Sequence, residues 1–314
     1  MKISTLAVAA LLCSAAFPAH AHNGMTHQST DKKWTLGYTY EKMHMEDMRD
    51  GSNDLSNAEV FARGFMMTQT EMNMAMHMLH AGYQPNHRLA FMAMLDYRDN
   101  DMTMIDNMGM TSTMKSNGIG DLKLSGDYQL LKGANSGLNA TLGLSAPTGS
   151  IDEKSNTGAR LPYMMQLGSG TWDPMIGLAY NYQYRSWAFG IGGNAVLRFG
   201  ENDNGYRLGN EYRISLSAAR PLSSYFTAQF RLDGTSTGEI EGMDASLMRG
   251  MSPENHGEFY GGERIDAVMG LKFHPPALGG SGLLAEVGLP LHQRANGPQL
   301  EQDYRFKLGG HFAF

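Results

Sequence analysis

From Lys32 to Phe314 the sequence places apolar residues at every second position, segment after segment, which is the pattern of strands with two unlike faces. The last segment shows it plainly. Tyr304, Phe306, Leu308, Gly310, Phe312 and Phe314 fall on one face, and Arg305, Lys307, Gly309, His311 and Ala313 on the other. Twelve such segments occur, at about 34–43, 72–83, 88–98, 119–131, 137–147, 174–184, 187–199, 208–219, 224–235, 264–273, 282–290 and 304–314. Short links (84–87, 132–136, 185–186, 220–223, 274–281) alternate with long polar ones (44–71, 99–118, 148–173, 200–207, 236–263, 291–303). A soluble β-sandwich has no reason to keep that order. An even-stranded membrane barrel with tight periplasmic turns and long outer loops requires it. The reading is therefore all-β: a transmembrane antiparallel β-barrel of about 12 strands with periplasmic termini and long extracellular loops.

The faces agree. Leu122, Leu124, Tyr128 and Leu130 alternate with Asp121, Lys123, Ser125 and Asp127, and Ile176, Leu178, Tyr180 and Tyr182 with Gly177, Ala179, Asn181 and Gln183. Trp187, Phe189 and Phe199 suit aromatic girdles. In water such apolar faces would need a second layer, whereas lipid covers them and closure removes the sheet edges. The mean hydropathy of −0.35 excludes a bundle of apolar membrane helices, and a net charge of −6 argues against nucleic acid as a partner. Residues 1–21 read as a cleaved signal peptide, with Lys2, an apolar stretch from Leu6 to Phe17 and the Ala19-His20-Ala21 cleavage site. The single cysteine, Cys13, lies inside it. Residues 22–33 are then a short periplasmic segment and 34–314 the barrel. Outer-membrane lipid is one expected partner. The other is the barrel-assembly machinery, engaged through the C-terminal strand ending at Phe314.

If the apolar faces meet lipid, the alternate residues line the lumen. Arg98, Lys123, Arg198, Arg213, Arg231, Arg264, Lys272, Arg305 and Lys307 then face Asp96, Asp121, Asp127, Glu211, Asp233, Asp266 and Glu286 across a nearly balanced interior. Glu211/Arg213, Arg231/Asp233 and Arg264/Asp266 each share a face, because residues two apart do. With Asp96 and Arg98 they are the candidate lumen and selectivity residues. These should form a cross-strand ion ladder, which holds a small barrel rigid or forms a polar constriction that selects what passes.

Methionine is the compositional outlier: 25 residues, seventeen of them between Met25 and Met114. Met-x-Met spacing places thioethers on one face of a strand, and thioethers with imidazole suit Cu(I) or Ag(I); methionine is also a flexible apolar filler. Leu89, Phe91, Leu95 and Tyr97 mark the lipid side of their strand, so Met92 and Met94 belong to the lumen. For Met72, Met74, Met76 and Met78 the expectation is the reverse, because turning them inward sets His77 against lipid at a cost. The candidate metal ligands are those expected in outer loops: Met43, His44, Met45, Met102, Met104, Met108 and Met110. Asp50-Gly51-Ser52-Asn53-Asp54 lacks the terminal acid of a calcium loop.

Gly118-Ile119-Gly120-Asp121-Leu122, Ala146-Pro147-Thr148-Gly149-Ser150 and the terminal aromatic strand resemble the outer-membrane family named for a MetA pathway of phenol degradation. Its Met-rich transporter branch shares the stretch from Leu161 to Gly170 and Asn296-Gly297-Pro298-Gln299-Leu300-Glu301. The resemblance covers most of 34–314. It implies a barrel that passes small compounds, aromatic ones among them, and it brings no site residues with it. No Gly-x-Ser-x-Gly elbow, His-Glu-x-x-His pair, Cys-x-x-Cys or P-loop occurs, and His256-Gly257-Glu258 alone hints at catalysis, so no enzyme is expected. The expected function is an outer-membrane channel or transporter for a small solute. Copper or silver capture by the methionines is the second reading, and a non-conducting structural barrel the third.

Overall fold

The computed structural model describes residues 32–314; the signal-peptide reading, Cys13 included, falls on residues outside these. The chain forms β1 (Trp34–Gly51), β2 (Asn53–Leu55), the short helix α1 (Asn57–Ala62), β3 (Met67–Asn86), β4 (Leu89–Asp106), β5 (Thr111–Ile119), β6 (Leu122–Lys132) and β7 (Ser136–Ala146). It continues through β8 (Asp173–Tyr184), β9 (Trp187–Val196), β10 (Tyr206–Arg207), β11 (Glu211–Pro221), β12 (Phe226–Thr237), β13 (Glu241–Gly242), β14 (Gly262–Phe273) and β15 (Gly282–Ala313). Apart from β10 and β13, which pair with each other in a separate small sheet, the strands pair antiparallel around one sheet, and β15 pairs with β1 to close it. The all-β antiparallel barrel read from the alternation is the observed fold.

Eleven strands form the closed ring, with β2 and β5 attached to it. An odd ring cannot close with every pair antiparallel, and β15 resolves the parity. Its first half pairs with β14, its second half with β1, and Ala295 is in register with both Gly262 of β14 and Gly51 of β1. The 32-residue strand therefore doubles back beside Ala295. The Gln293 side chain ties the two arms, donating from Nε2 to the Gln302 carbonyl and accepting at Oε1 from the Gln302 N–H, both at 2.9 Å. Twelve staves thus surround the lumen. Trp34 and Phe314 bond to each other at the end that carries the tight turns, such as Arg185–Ser186 between β8 and β9.

Outward positions are what hydrocarbon requires: Leu36, Leu79, Phe91, Leu142, Leu178, Ile214, Ile265 and Leu308 are all exposed. Two expectations change. β1, β3 and β4 run for 18, 20 and 18 residues, well beyond the roughly 9–11 that span a bilayer. The barrel wall therefore continues above the membrane, and much of what reads as loop at 44–71 and 99–118 is strand. The physical reason is visible on β4, where the outward face turns from Phe91 and Tyr97 to the polar Asp99, Asp101 and Thr103.

The second change concerns His77, which faces outward, while Met72 and Met78 are buried in the lumen. The cost of an outward imidazole is met locally. The Tyr38 hydroxyl hydrogen-bonds its Nδ1 at 2.7 Å, and the rings of Tyr40 and Tyr97 flank it, with centroids 5.2 and 6.5 Å away. A histidine among girdle tyrosines keeps a hydrogen bond that mid-bilayer lipid would deny it.

Candidate functional site

The lumen has two chemically different walls. On β1, β3 and β4 the register aligns Met45 with Met72, Met72 with Met102, and Met102 on β5's side with Met114, so thioethers form a row across four strands. Met45, Met48, Met72, Met102 and Met104 are buried in one cluster with Leu161 and Met165. Closer to the tight turns, Met78, Met92 and Met94 form a second cluster against which Met76 packs.

The other wall is ionic. Arg231 Nε lies 2.9 Å from Asp233 and its Nη1 3.2 Å from Glu286, and Lys307 Nζ lies 3.1 Å from Glu286 and 3.9 Å from Glu41. Arg305 bridges Asp233 at 3.4 Å and Asp266 at 3.9 Å, and Arg264 meets Asp266 at 2.9 Å. Ser215 donates to Asp233 at 2.6 Å. Removing two buried charges from water is expensive, and only several partners per charge make the arrangement tolerable. Asp233, Asp266 and Glu286 each have at least two.

The expected cross-strand rungs are present where Arg305 meets Asp233 and Asp266, and three of the four acid–base sets also pair within their own strand: Arg231–Asp233, Arg264–Asp266 and Arg98–Asp96, the last at 2.6 Å. The fourth does not. Glu211 reaches across to Arg198 at 3.1 Å, and Arg198 also holds the buried Asp173. The cation two residues along the same strand is farther in effect than one on the neighbouring stave, because β9 and β11 are paired there. Among the described residues Arg213 therefore forms no ion pair, and its buried Nη1 has no hydrogen-bond partner.

The candidate metal ligands separate. Met43, Met45, Met102 and Met104 lie on strands and face the lumen cluster instead of standing in loops. Met108 and Met110 sit at the exposed β4–β5 tip. His44 faces outward, stacked on Tyr304, with Nε2 at 3.5 Å from Glu46 and 3.6 Å from Asp303. These three side chains could share a cation, apart from the methionines. Asp50 and Asp54 of the weak calcium segment are bonded to Arg63 at 2.6 Å and Arg49 at 3.1 Å. His256 has both ring nitrogens engaged inside its loop, with Glu258 at 3.1 Å and the Arg249 carbonyl at 2.9 Å.

One feature escaped the sequence reading. β5 and β6 form a single stave broken at Gly120–Asp121, and the break aims the Asp121 carboxylate into the lumen. There it accepts the backbone N–H of Gly149 at 2.9 Å and of Ser169 at 2.8 Å, gripping both limbs of the 147–172 loop. Thr148 seals the base, donating to the Gly120 carbonyl at 2.9 Å and accepting from Leu122 N–H at 2.8 Å. The limbs touch so closely that a Cβ at Gly149 would lie 2.7 Å from the Gly168 Cα. The loop carries Leu161 and Met165 into the thioether cluster. The Gly-x-Gly-Asp-Leu, Ala-Pro-Thr-Gly-Ser and Gln-Leu-Gly-Ser stretches are thus one clasp. Only their separate positions were visible in the sequence.

The remaining outer loops pack over this one. Tyr163, Tyr206, Ile240 and Leu247 form a buried cluster, Arg160 meets Asp244 at 3.0 Å, and burial pushes the Tyr163 and Tyr206 hydroxyls up from their ordinary range. Glu254, wholly buried in the same lid, has its carboxyl pushed up to about 7 by burial. Beside the lid a cavity of about 180 Å³ opens between β14 and the β15 tip, lined by Met45, Met164, Tyr260, Arg264, Leu300 and Gln302 among others.

Among solved structures, an outer membrane channel from Pseudomonas putida F1 superposes with a TM-score of 0.65 at 18% identity, covering 92% of this chain and 98% of its own. The transport unit of the autotransporter AIDA-I from Escherichia coli follows at 0.52 and 11% identity, covering 92% and 93%. At these identities the likeness establishes the outer-membrane barrel fold. No curated protein matches the chain. The profile of the family described as "Putative MetA-pathway of phenol degradation" matches residues 52–245, more than half of the 314, and the chain belongs to that family.

Proposed function

We propose that the barrel is an outer-membrane channel for a small solute with an apolar, preferably aromatic, body and a hydrogen-bond-accepting or anionic end. The observation that carries this reading is Arg213. In the ring of twelve staves β11 stands opposite β3, six places round, so Arg213, whose guanidinium forms no ion pair among the described residues, projects from the stave opposite the thioethers of β3. Thioethers make favourable edge contacts with aromatic rings, and a guanidinium pairs bidentately with carboxylate. The paired charges of the rest of the wall cancel and give little ion preference of their own. The clasped 147–172 loop, packed across the thioether wall, makes passage gated.

Planar-bilayer recording and liposome swelling test the proposal, with benzoate-like acids compared against neutral sugars of similar size. The expected result is faster swelling with the aromatic acids and a loss of that preference in Arg213→Gln. An absence of conductance together with an absence of swelling for every small solute overturns the channel.

A further inference from the structure

The methionines of β1, β3 and β4 obey a rule that packing does not impose. On these strands the large aliphatic and phenylalanine side chains facing lipid include Leu36, Leu79, Phe91 and Leu95, and those facing the lumen are all methionine. Burial free energy follows apolar area and is indifferent to sulfur. A filler role would therefore mix Leu, Ile and Met on the inner face as on any core surface. Strict segregation points to a property of the thioether itself, and its soft lone pair is one that a metal ion can use.

The inner cluster adds an imidazole. His80 is buried on the lumen face of β3, two residues from Met78 and in register with Met94. Gly37, its partner on β1, leaves the room the ring occupies: a Cβ there would lie 2.6 Å from His80 Cε1. Asp96, in register with Met78, is held by Arg98 at 2.6 Å. Thioethers with one imidazole form a donor set for copper(I) or silver(I), and a poor one for calcium, magnesium or zinc.

We infer that this inner cluster binds a soft monovalent cation, copper(I) or silver(I), through the thioethers of Met78, Met92 and Met94 and the imidazole of His80. The Met45–Met72–Met102–Met114 row supplies further thioethers toward the outer mouth. The inference rests on the channel reading only for how the ion arrives, because binding is measured without passage.

The test uses the full barrel in detergent micelles, labelled with ¹³C at the methionine methyls and titrated with silver(I), which is redox-inert. The expected result is shifts of the Met78, Met92 and Met94 methyl resonances at micromolar silver. In the Met78→Leu/Met92→Leu/Met94→Leu variant, which keeps the apolar volume, silver affinity should fall at least tenfold. Methyls that do not move up to millimolar silver overturn the inference, as does equal affinity in the variant. The wild-type titration decides the matter even if the triple variant does not fold. Loss of conductance without loss of silver binding would count against the channel alone.

Discussion

Asp121 is where the loop clasp, the proposed gate, can be opened with one substitution. Its carboxylate is buried and accepts two backbone N–H groups from residues 28 and 48 positions away, so its removal loosens both limbs of the loop together. Hydrogen bonds to an ionised, buried acceptor contribute about 1.5–3 kcal/mol each. The pair therefore supplies about 3–6 kcal/mol to docking, and because each 1.4 kcal/mol is about a factor of ten, even the lower bound shifts the docked-to-free ratio about 100-fold. Thr148 keeps the loop base in place, since its partners Gly120 and Leu122 are backbone groups that the substitution leaves intact. Asp121→Ala should thus free residues 149–169 without unfolding the barrel. Single-channel recording should show a higher open probability or larger unitary conductance, and limited proteolysis should cut within 150–168 faster than in the wild type. Asp121→Asn presents one acceptor oxygen and one N–H₂ group, so one of the two limbs stays gripped and the effect should be smaller. Wild-type conductance together with wild-type protease resistance in Asp121→Ala would refute the clasp as the gate.

Three further outcomes follow from the same geometry. Glu286→Ala removes the acid that Lys307 and Arg231 share, leaving Glu41 and Asp233 to hold them, and breaking a buried pair by removing one partner costs roughly 3–5 kcal/mol; denaturant unfolding in detergent should show it, with Glu286→Gln less affected. Burial holds Glu254 at about 7, above the ordinary range of a glutamate. An acid raised on folding stabilises the docked lid fully below its unfolded value, and that contribution disappears as pH rises through the folded one. Protease resistance of 238–261 should therefore fall between about pH 5 and pH 8 and should stay flat in Glu254→Gln. Single cysteines test the inversion on β3: Met78→Cys should react with a water-soluble maleimide small enough to enter the lumen, and His77→Cys only with a lipid-soluble one. The opposite labelling would return the methionines to the lipid face.

The membrane part of the fold was legible because lipid enforces one rule on every stave. Above the membrane the rule inverts. On β4 the outward positions 89, 91, 95 and 97 are apolar while lipid is outside, then the outward positions 99, 101 and 103 turn polar and the inward Met102 and Met104 carry the apolar side, where water is outside and the loop lid within. A pattern that keeps its period and changes phase reads as an interruption, which is why the extended wall looked like loop. His77 was misplaced for a related reason. The cost of a polar group in hydrocarbon was applied without the hydroxyl of Tyr38, which lies 39 residues away and meets it only once β1 and β3 pair. Asp121 was placed in the lumen by alternation, yet its partners Gly149 and Ser169 are backbone groups in a loop, and no side-chain pattern marks a backbone donor.

Glu211 shows how far same-strand spacing carries an electrostatic argument. Two residues apart guarantees a shared face and nothing about partnership, because an inward side chain also meets the neighbouring staves. Arg231–Asp233 and Arg264–Asp266 pair within a strand, and Arg305 then joins both acids from β15. At β11 the loop after β9 brings Arg198 to Glu211 first, and Arg213 is left over. Closed ion pairs present little net field to a solute, so on the proposed reading the open guanidinium of Arg213 biases the sign of what the lumen favours. Opposite it stand thioethers, which offer dispersion and soft donation in place of charge. The two walls together ask for a permeant that is polar on one side only, or for an ion soft enough to prefer sulfur to water.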